Sequence, residues 1–147
     1  MTDTYNHQKI NVILKGHSTM LNKGLAQYQQ VNTHCGVEGA SPHRLIQMLM
    51  EGVLQRLAEA KGAMQRNVIA DKGEAIGKAI TILSGLDDSL NKDIGGEMAA
   101  NLDDLYGYMQ RRLLEANLHN DESIIDEVVG LMKTIKSGWD TIAQEVA

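Results

Sequence analysis

This chain of 147 residues contains no phenylalanine and only one tryptophan, one proline and one cysteine. Because Cys35 has no second thiol to pair with, a fold held together by internal disulfides is excluded. Near the start, the longest apolar run covers only residues 12–14, which is too short for a signal-peptide core or a membrane span. These absences predict a protein of the reducing cytosol that does not insert into membranes.

Clustered positive charge is also missing. The chain has 14 lysine and arginine residues against 19 aspartate and glutamate residues, a formal net charge of -5 and a sequence pI of about 5.5. Binding to a phosphate backbone requires basic side chains gathered on one surface, whereas here they are spread among acids. The composition therefore predicts that nucleic acid is not a partner.

The only proline, Pro42, divides the chain into two parts. Residues 1–40 mix polar residues and glycine with scattered apolar residues, and we expect a mostly irregular N-terminal arm with a short helix around Tyr28. Ser41 is a favourable N-cap and Pro42 suits the first helical position, so a helix is predicted to begin there. Residues 41–147 are predicted to form a single helical domain.

Four stretches after Pro42 carry apolar residues at intervals of three or four, the spacing of one face of an α-helix. Four such helices of about 20 to 25 residues, joined by short turns, predict an all-α fold, an antiparallel four-helix bundle. The predicted stripes are Ile46, Leu49, Val53, Leu57, Ala60 and Met64 in the first helix; Ile76, Ile80, Leu83, Leu86 and Leu90 in the second; Met98, Leu102, Leu105, Met109, Leu113 and Ala116 in the third; and Ile125, Val128, Met132, Ile135, Trp139, Ile142 and Val146 in the fourth.

The helix boundaries are predicted from capping residues and glycines. Asp71 and Glu74 have the spacing of a capping box, so Asp71 is expected to start the second helix. Gly95–Gly96 is expected to end that helix and to permit a sharp reversal into the third. Residues 117–120 are predicted to form the next turn, and Asp121 is predicted to cap the fourth helix.

None of the motifs that carry chemistry in helical bundles is complete. A di-iron centre needs Glu-x-x-His pairs, and no histidine here follows a glutamate by three residues. His34 lies beside Cys35, but no orienting carboxylate is apparent for nucleophilic catalysis. His43 begins a helix and lacks the lysine and glycine that follow a phosphotransfer histidine, and Gly95–Gly96 lacks the lysine of a phosphate-binding loop. We therefore predict no catalytic residue, no metal, no cofactor and no enzymatic activity.

Methionines and glycines favour protein binding instead. Met48, Met98 and Met109 are among the eight methionines, and they lie on or beside the apolar stripes, where flexible thioethers could adapt to a partner or simply fill gaps in the core. Glycines inside the predicted helices allow another backbone to approach closely, or they indicate a bundle of modest stability. Both interpretations remain open at this point.

Five motifs follow one another along the chain: YQQV from Tyr28, SPHRLIQMLMEG from Ser41, GGE from Gly95, NLDDLYGYMQRRLLEAN from Asn101, and a C-terminal helix with Trp139. In this order they resemble the flagellar export chaperone FliS family, over residues 25–146. The resemblance has two departures. Residues 50–52 are Met-Glu-Gly where the family often has Tyr-Asp-Gly, and residues 1–23 are additional to a typical member and inherit no role.

The resemblance implies a cytosolic chaperone that binds the C-terminal segment of flagellin in apolar helical grooves, prevents premature polymerisation and delivers it to the flagellar type III export apparatus. It also implies that the segment around Tyr28 caps part of the groove until the client displaces it. A disordered client that folds into amphipathic helices as it docks is consistent with this binding mode. The expected partner-binding residues are Tyr28, Leu45, Met48, Leu49, Ile76, Ile80, Leu83, Leu102, Leu105, Tyr106, Met109 and Leu113.

Further partners and oligomeric state stay open. An export-gate protein and an anti-sigma factor are additional partner candidates, and a homodimer is another. The alternative function is a structural bundle that self-associates through its surplus apolar surface and has no client. Light scattering in the presence of flagellin distinguishes the two, because a stable oligomer that ignores flagellin favours the alternative.

Overall fold

The computed structural model describes residues 40–146, without the side chains of Lys92 and residues 143–146. Four helices make up this region: α1 (Pro42–Arg66), α2 (Ile69–Asp88), α3 (Lys92–His119) and α4 (Glu122–Val146). Each helix packs against the next one, and α4 packs back against α1. The predicted all-α, antiparallel four-helix bundle is confirmed. The predicted arm, apart from its last residue, lies outside the described residues.

Two predicted helix starts match the structure. Ser41 Oγ accepts a hydrogen bond from the Arg44 amide at 3.1 Å, and Pro42 occupies the first helical position of α1. Ahead of α4, Asp121 Oδ1 accepts a hydrogen bond from the Ser123 amide at 2.9 Å. In both cases a side-chain oxygen satisfies an amide that has no partner inside the helix.

The predicted start of the second helix was wrong. Helix α2 begins at Ile69, so Asp71 lies in the first turn instead of at the cap. The reason lies at the end of α1, where Asn67 takes a left-handed conformation with φ 59° and the Val68 amide donates to the Ala63 carbonyl at 2.9 Å. This turn reverses the chain within two residues, and α2 starts immediately after it.

The predicted reversal at Gly95–Gly96 was also wrong. Helix α2 ends at Asp88, and the chain reverses before Lys92, where the Asn91 side chain caps α3 through the Ile94 amide at 3.1 Å. Gly96 instead forms a kink inside α3, with φ 54° and ψ -133°. Such a backbone conformation is open to glycine at little cost, so the glycine is needed for the kink and not for a helix end.

The predicted turn after the third helix is shorter than expected. Helix α3 continues to His119, and of the four predicted turn residues only Asn120 is outside the helix, with φ 51°. Asn117 and Leu118 are therefore helical. Asparagine tolerates the left-handed conformation better than most residues, which allows one residue to end the helix.

Most of the predicted stripe residues lie in the core, which also includes buried residues outside the stripes, among them Leu45, Met50 and Tyr106. All six stripe residues of α1 are buried, whereas five stripe residues on the other helices are only partly buried. Leu90 is buried although it lies beyond the end of α2. The five partly buried stripe residues are Ile80 on α2, Met98, Leu102 and Leu105 on α3, and Ile135 on α4.

Candidate partner-binding surfaces

The predicted partner-binding residues fall into two groups by burial. Four are partly buried at the edge of the core, and Tyr28 lies outside the described residues. Their role in binding stays a prediction. The seven that are buried are Leu45, Leu49, Ile76, Leu83, Tyr106, Met109 and Leu113, and the four that are partly buried are Met48, Ile80, Leu102 and Leu105.

Partly buried apolar residues are concentrated between α3 and α4. Tyr108 and Arg112 on α3 both contact Glu127 on α4, which fixes the antiparallel register of the two helices. In this register Leu105 comes level with Leu131, and Leu102 comes level with Ile135. We name the set Met98, Leu102, Leu105, Leu131 and Ile135 the α3–α4 strip.

A charged cluster marks one end of the α3–α4 strip. Glu127 accepts hydrogen bonds from Arg112 Nε at 2.9 Å and from the Tyr108 hydroxyl at 3.0 Å, and Arg112 also pairs with Glu115. The hydrogen bond from Arg112 is the main reason why the pKa of Glu127 is lowered. These groups are partly exposed to solvent, which screens their charges, so the cluster defines the register more than it stabilises the fold.

A second apolar surface lies at the end of the bundle where α1 joins α2. The buried Lys72 on α2 donates through Nζ to the Asn117 carbonyl and to Asn120 Oδ1, each at 3.1 Å, so the first turn of α2 lies beside the last turn of α3. Ile69 is 77% exposed and Leu118 is 78% exposed in these two turns. Large apolar side chains exposed to this degree on neighbouring turns are typical of an interaction surface.

The face between α1 and α4 is polar. A cleft of about 430 Å³ is lined there by residues that include Lys133, Lys136 and Asp140. Lys136 Nζ and Gln47 Nε2 each lie 2.6 Å from an Asp140 carboxylate oxygen. Burial raises the pKa of Asp140, but the bonds from Lys136 and Gln47 outweigh burial and leave it lowered. This face is therefore held by an ionic network and offers little to an apolar helix.

Clusters of metal-binding side chains are absent from the part of the chain that the structure describes. Residues 40–146 contain no group of three or more histidine, cysteine, aspartate or glutamate side chains that could hold a metal ion. Within the same range, no helix is long and apolar enough to cross a lipid bilayer. What the arrangement can do is bury an amphipathic helix against partly covered leucine, isoleucine and methionine side chains.

Sequence reasoning missed five residues of these surfaces. Met98 and Ile135 were predicted only as stripe residues, and Leu131, Leu118 and Ile69 were not predicted on either surface. Leu131 precedes the stripe residue Met132 by one position. The sequence indicated it only by making the apolar face of α4 wider than the stripe. Leu118 was assigned to the turn at residues 117–120, and Ile69 fell before the predicted start of the second helix at Asp71. For both, the signal was an apolar residue two positions from an asparagine, which can end a helix by itself.

Comparisons with known proteins agree on one family. The family model described as flagellar protein FliS matches residues 24–146. The flagellar secretion chaperone FliSB of Pseudomonas aeruginosa is 55% identical over 121 residues, which cover 82% of this chain and 96% of that protein. The flagellar secretion chaperone FliS of Salmonella typhimurium is 43% identical over 125 residues, covering 84% and 93%. That of Vibrio cholerae is 41% identical over 121 residues, covering 82% and 89%.

Proposed function

The chain belongs to the FliS family of flagellar secretion chaperones, and from this membership we propose that its client is flagellin. In this proposal the chaperone binds the C-terminal segment of newly made flagellin in the cytosol. It prevents premature polymerisation and delivers the client to the flagellar type III export apparatus. The family is one of chaperones and not of enzymes, which fits a bundle whose described surfaces offer apolar side chains instead of reactive groups.

The single observation that carries the binding mode is the α3–α4 strip. Its five side chains are packed against the core on one side and only partly covered on the other. A client helix laid along the strip removes the remaining apolar surface from water, at roughly 25 cal/mol for each Å² buried.

The buried residues of the expected set have a different role in this proposal. Met109 and Leu113 are fully buried on the same helix as Leu102 and Leu105. They form the wall that holds the strip in place. The segment around Tyr28 acts as a cap, which competes with the client because its tether keeps its local concentration high, of order millimolar.

Calorimetry with a flagellin C-terminal peptide tests the proposal. We expect one-to-one binding, a negative heat-capacity change from buried apolar surface, and a gain of helicity by circular dichroism. No heat at any temperature, combined with no change in helicity, contradicts flagellin as the client. A stable oligomer that ignores the peptide supports the alternative, a self-associating structural bundle.

A matched pair of variants on α4 tests the location. Leu131 and Val129 are both partly buried, but they are two residues apart and so lie on opposite flanks of the helix. We expect Leu131→Ala to weaken the binding of the peptide about tenfold, equivalent to about 1.4 kcal/mol. Val129→Ala should leave it unchanged. Equal effects of the two variants contradict the strip as the binding site while leaving flagellin as the client.

A further inference from the structure

Exposed apolar side chains are concentrated at the end of the bundle where α1 joins α2. Six large apolar side chains are exposed among the described residues, and four of them lie at the start of α2 or in the last two turns of α3. An exposed apolar group of this size is typical of an interaction surface. We name it the end patch, and its members are Val68, Ile69, Leu114 and Leu118.

A hollow of about 190 Å³ lies beside the end patch, and the buried Lys72 is one of the residues that line it. Lys72 Nζ donates to the Asn117 carbonyl and to Asn120 Oδ1, which are both neutral, although an ammonium group has three N–H donors. Lys72 forms no ion pair with a carboxylate of the described residues. Because a buried charge without a counter-charge is costly, the hollow favours a negative group. It is lined by Ala63, Asn67, Val68, Ile69, Lys72 and Asn120.

The start of α2 adds to this preference for a negative group. Its N-cap residue, Val68, has no side-chain oxygen, so the first amides of α2 receive no side-chain cap. A helix start of this kind attracts anions through its amides and its dipole. Asp71 lies in the same turn, but it lines a different hollow, between α1 and α2. The hollow beside Lys72 therefore suits a carboxylate whose neighbouring side chains are apolar.

We propose that the end patch binds the chain end of the client, with the terminal carboxylate in the hollow beside Lys72 and apolar side chains near it packed on Ile69 and Leu118. This inference rests on the proposed function, in which the client segment is C-terminal and so ends in a carboxylate. Leu118 lies about 20 Å along α3 from Leu105. About seven extended residues cover this distance and the width of one helix, so a client held on the α3–α4 strip also reaches the hollow.

Calorimetry with two forms of one flagellin C-terminal peptide tests this inference on the full-length chain. One form ends in a free carboxylate and the other in an amide, which carries no charge. We expect the amide to bind about tenfold more weakly, and we name this ratio of dissociation constants the amide effect. Lys72→Met should abolish the amide effect, because the cation is gone. Lys78→Met is the matched control on the same helix and should keep it, because Lys78 forms an exposed pair with Glu74.

A second variant tests the hollow without changing a buried residue. Ile69→Glu places a carboxylate beside the hollow, at an exposed position where a helix start tolerates negative charge. It should repel the free carboxylate more than the amide and so reduce the amide effect. Ile94→Glu is the control, since Ile94 is also an exposed isoleucine in the first turn of a helix but lies at the other end of the bundle. It should leave the amide effect unchanged.

The results separate this inference from the proposed function. If neither form of the peptide binds, flagellin is not the client and both proposals are overturned. If both forms bind the unchanged chain equally well, flagellin stands as the client and the chain-end site alone is overturned. An amide effect that persists in full in Ile69→Glu, or in Lys72→Met where circular dichroism shows it to be folded, means that the carboxylate binds elsewhere and also overturns the inference.

Discussion

The rings of His43 and Trp139 stack with their centroids 4.5 Å apart and their planes 2° from parallel. Trp139 Nε1 also donates to the His43 carbonyl oxygen at 3.0 Å. Because His43 lies in the first turn of α1 and Trp139 lies towards the end of α4, this contact joins the two helices at one end of the bundle. Next to it, Asp140 binds Lys136 and Gln47 and fastens the same end.

The stack makes the stability of the fold depend on pH. Both ring nitrogens of His43 are buried and have no hydrogen-bond partner among the described residues. Burial lowers the pKa of His43, and the nearby Asp140 carboxylate raises it in part. The folded chain thus holds the proton less well than the unfolded chain, whose histidine pKa is about 6.5. The contribution of neutral His43 is complete above about pH 6.5 and is lost as the pH falls below that value.

Thermal unfolding between about pH 7.5 and about pH 5.5 measures this dependence. This pH range lies above the usual pKa of aspartate and glutamate, so carboxylates contribute little to the change. We expect the Tm to fall with pH in the unchanged chain. His43→Phe keeps an aromatic ring against Trp139 but cannot take a proton, so the fall should be smaller and the Tm at pH 7.5 no lower. His119→Gln, at an exposed position, is the control. If His43→Phe keeps the full pH dependence, another group is responsible.

Lys72 connects α2 to the end of α3 from a buried position. Its side chain is 7% exposed, and Nζ donates to the Asn117 carbonyl and to Asn120 Oδ1. Lys72→Met keeps the apolar stem but leaves these two oxygens without that donor. We expect a loss of about 1 to 3 kcal/mol in the free energy of unfolding, measured by urea titration.

Lys78→Met is the matched control on the same helix. Lys78 forms an exposed pair with Glu74 one turn away, and such pairs contribute little because solvent screens them. We expect its unfolding midpoint to stay unchanged. If both variants lose the same stability, the hydrogen bonds of Lys72 are not what holds α2 to α3.

The fold was largely predictable because the interior repeats at helical spacing. Ile46, Val53 and Leu57 identify one face of α1 from periodicity alone, and Ser41 marks its start by a capping bond that is local in sequence. Asp71 misled the prediction, since its spacing to Glu74 suits a cap but the chain had already reversed at Asn67. Whether an asparagine takes a left-handed conformation depends on the packing of both helices, which a local pattern does not contain.

The candidate surfaces were harder to predict than the fold. Leu102 and Met109 belong to the same predicted stripe, yet the first is partly buried and the second is fully buried. Periodicity locates the face of a helix but not how far the neighbouring helix covers it. That coverage depends on the register of α3 against α4, which Tyr108 and Glu127 fix through a contact between distant parts of the sequence.

Alanine variants of two methionines on α3 should affect stability and client binding differently. Met109 is fully buried, and Met98 is partly buried in the α3–α4 strip. Met109→Ala leaves a cavity in the core and should cost about 2 to 5 kcal/mol in the free energy of unfolding. Met98→Ala should cost much less, because part of its surface is already in water, but it should weaken the binding of a flagellin C-terminal peptide.

Urea titration and calorimetry on the two methionine variants make this comparison. Under conditions where both remain folded, Met109→Ala should bind the peptide with nearly unchanged affinity. If Met98→Ala binds as tightly as the unchanged chain, the strip does not extend to that residue, and binding is confined to the part nearer Leu105.

The kink at Gly96 gives a prediction about the backbone alone. Among the described residues, no atom outside the adjoining α3 backbone lies within 4 Å of a Cβ added at Gly96, but φ 54° with ψ -133° is a conformation that side-chain-bearing residues rarely adopt. We expect Gly96→Ala to lower the free energy of unfolding by about 1 to 3 kcal/mol. Gly130 also has open space around its added Cβ, but it lies inside α4 with ordinary helical geometry.

Gly130→Ala should therefore raise the stability, by up to about 1 kcal/mol, because alanine is the better helix former. If the free energy of unfolding falls in Gly96→Ala and rises in Gly130→Ala, backbone conformation is the cause, because the added Cβ atom has open space at both sites. Urea titration of both variants decides the matter. If Gly96→Ala is as stable as Gly130→Ala, α3 tolerates a regular helical conformation at residue 96. The kink is then not required to position the α3–α4 strip.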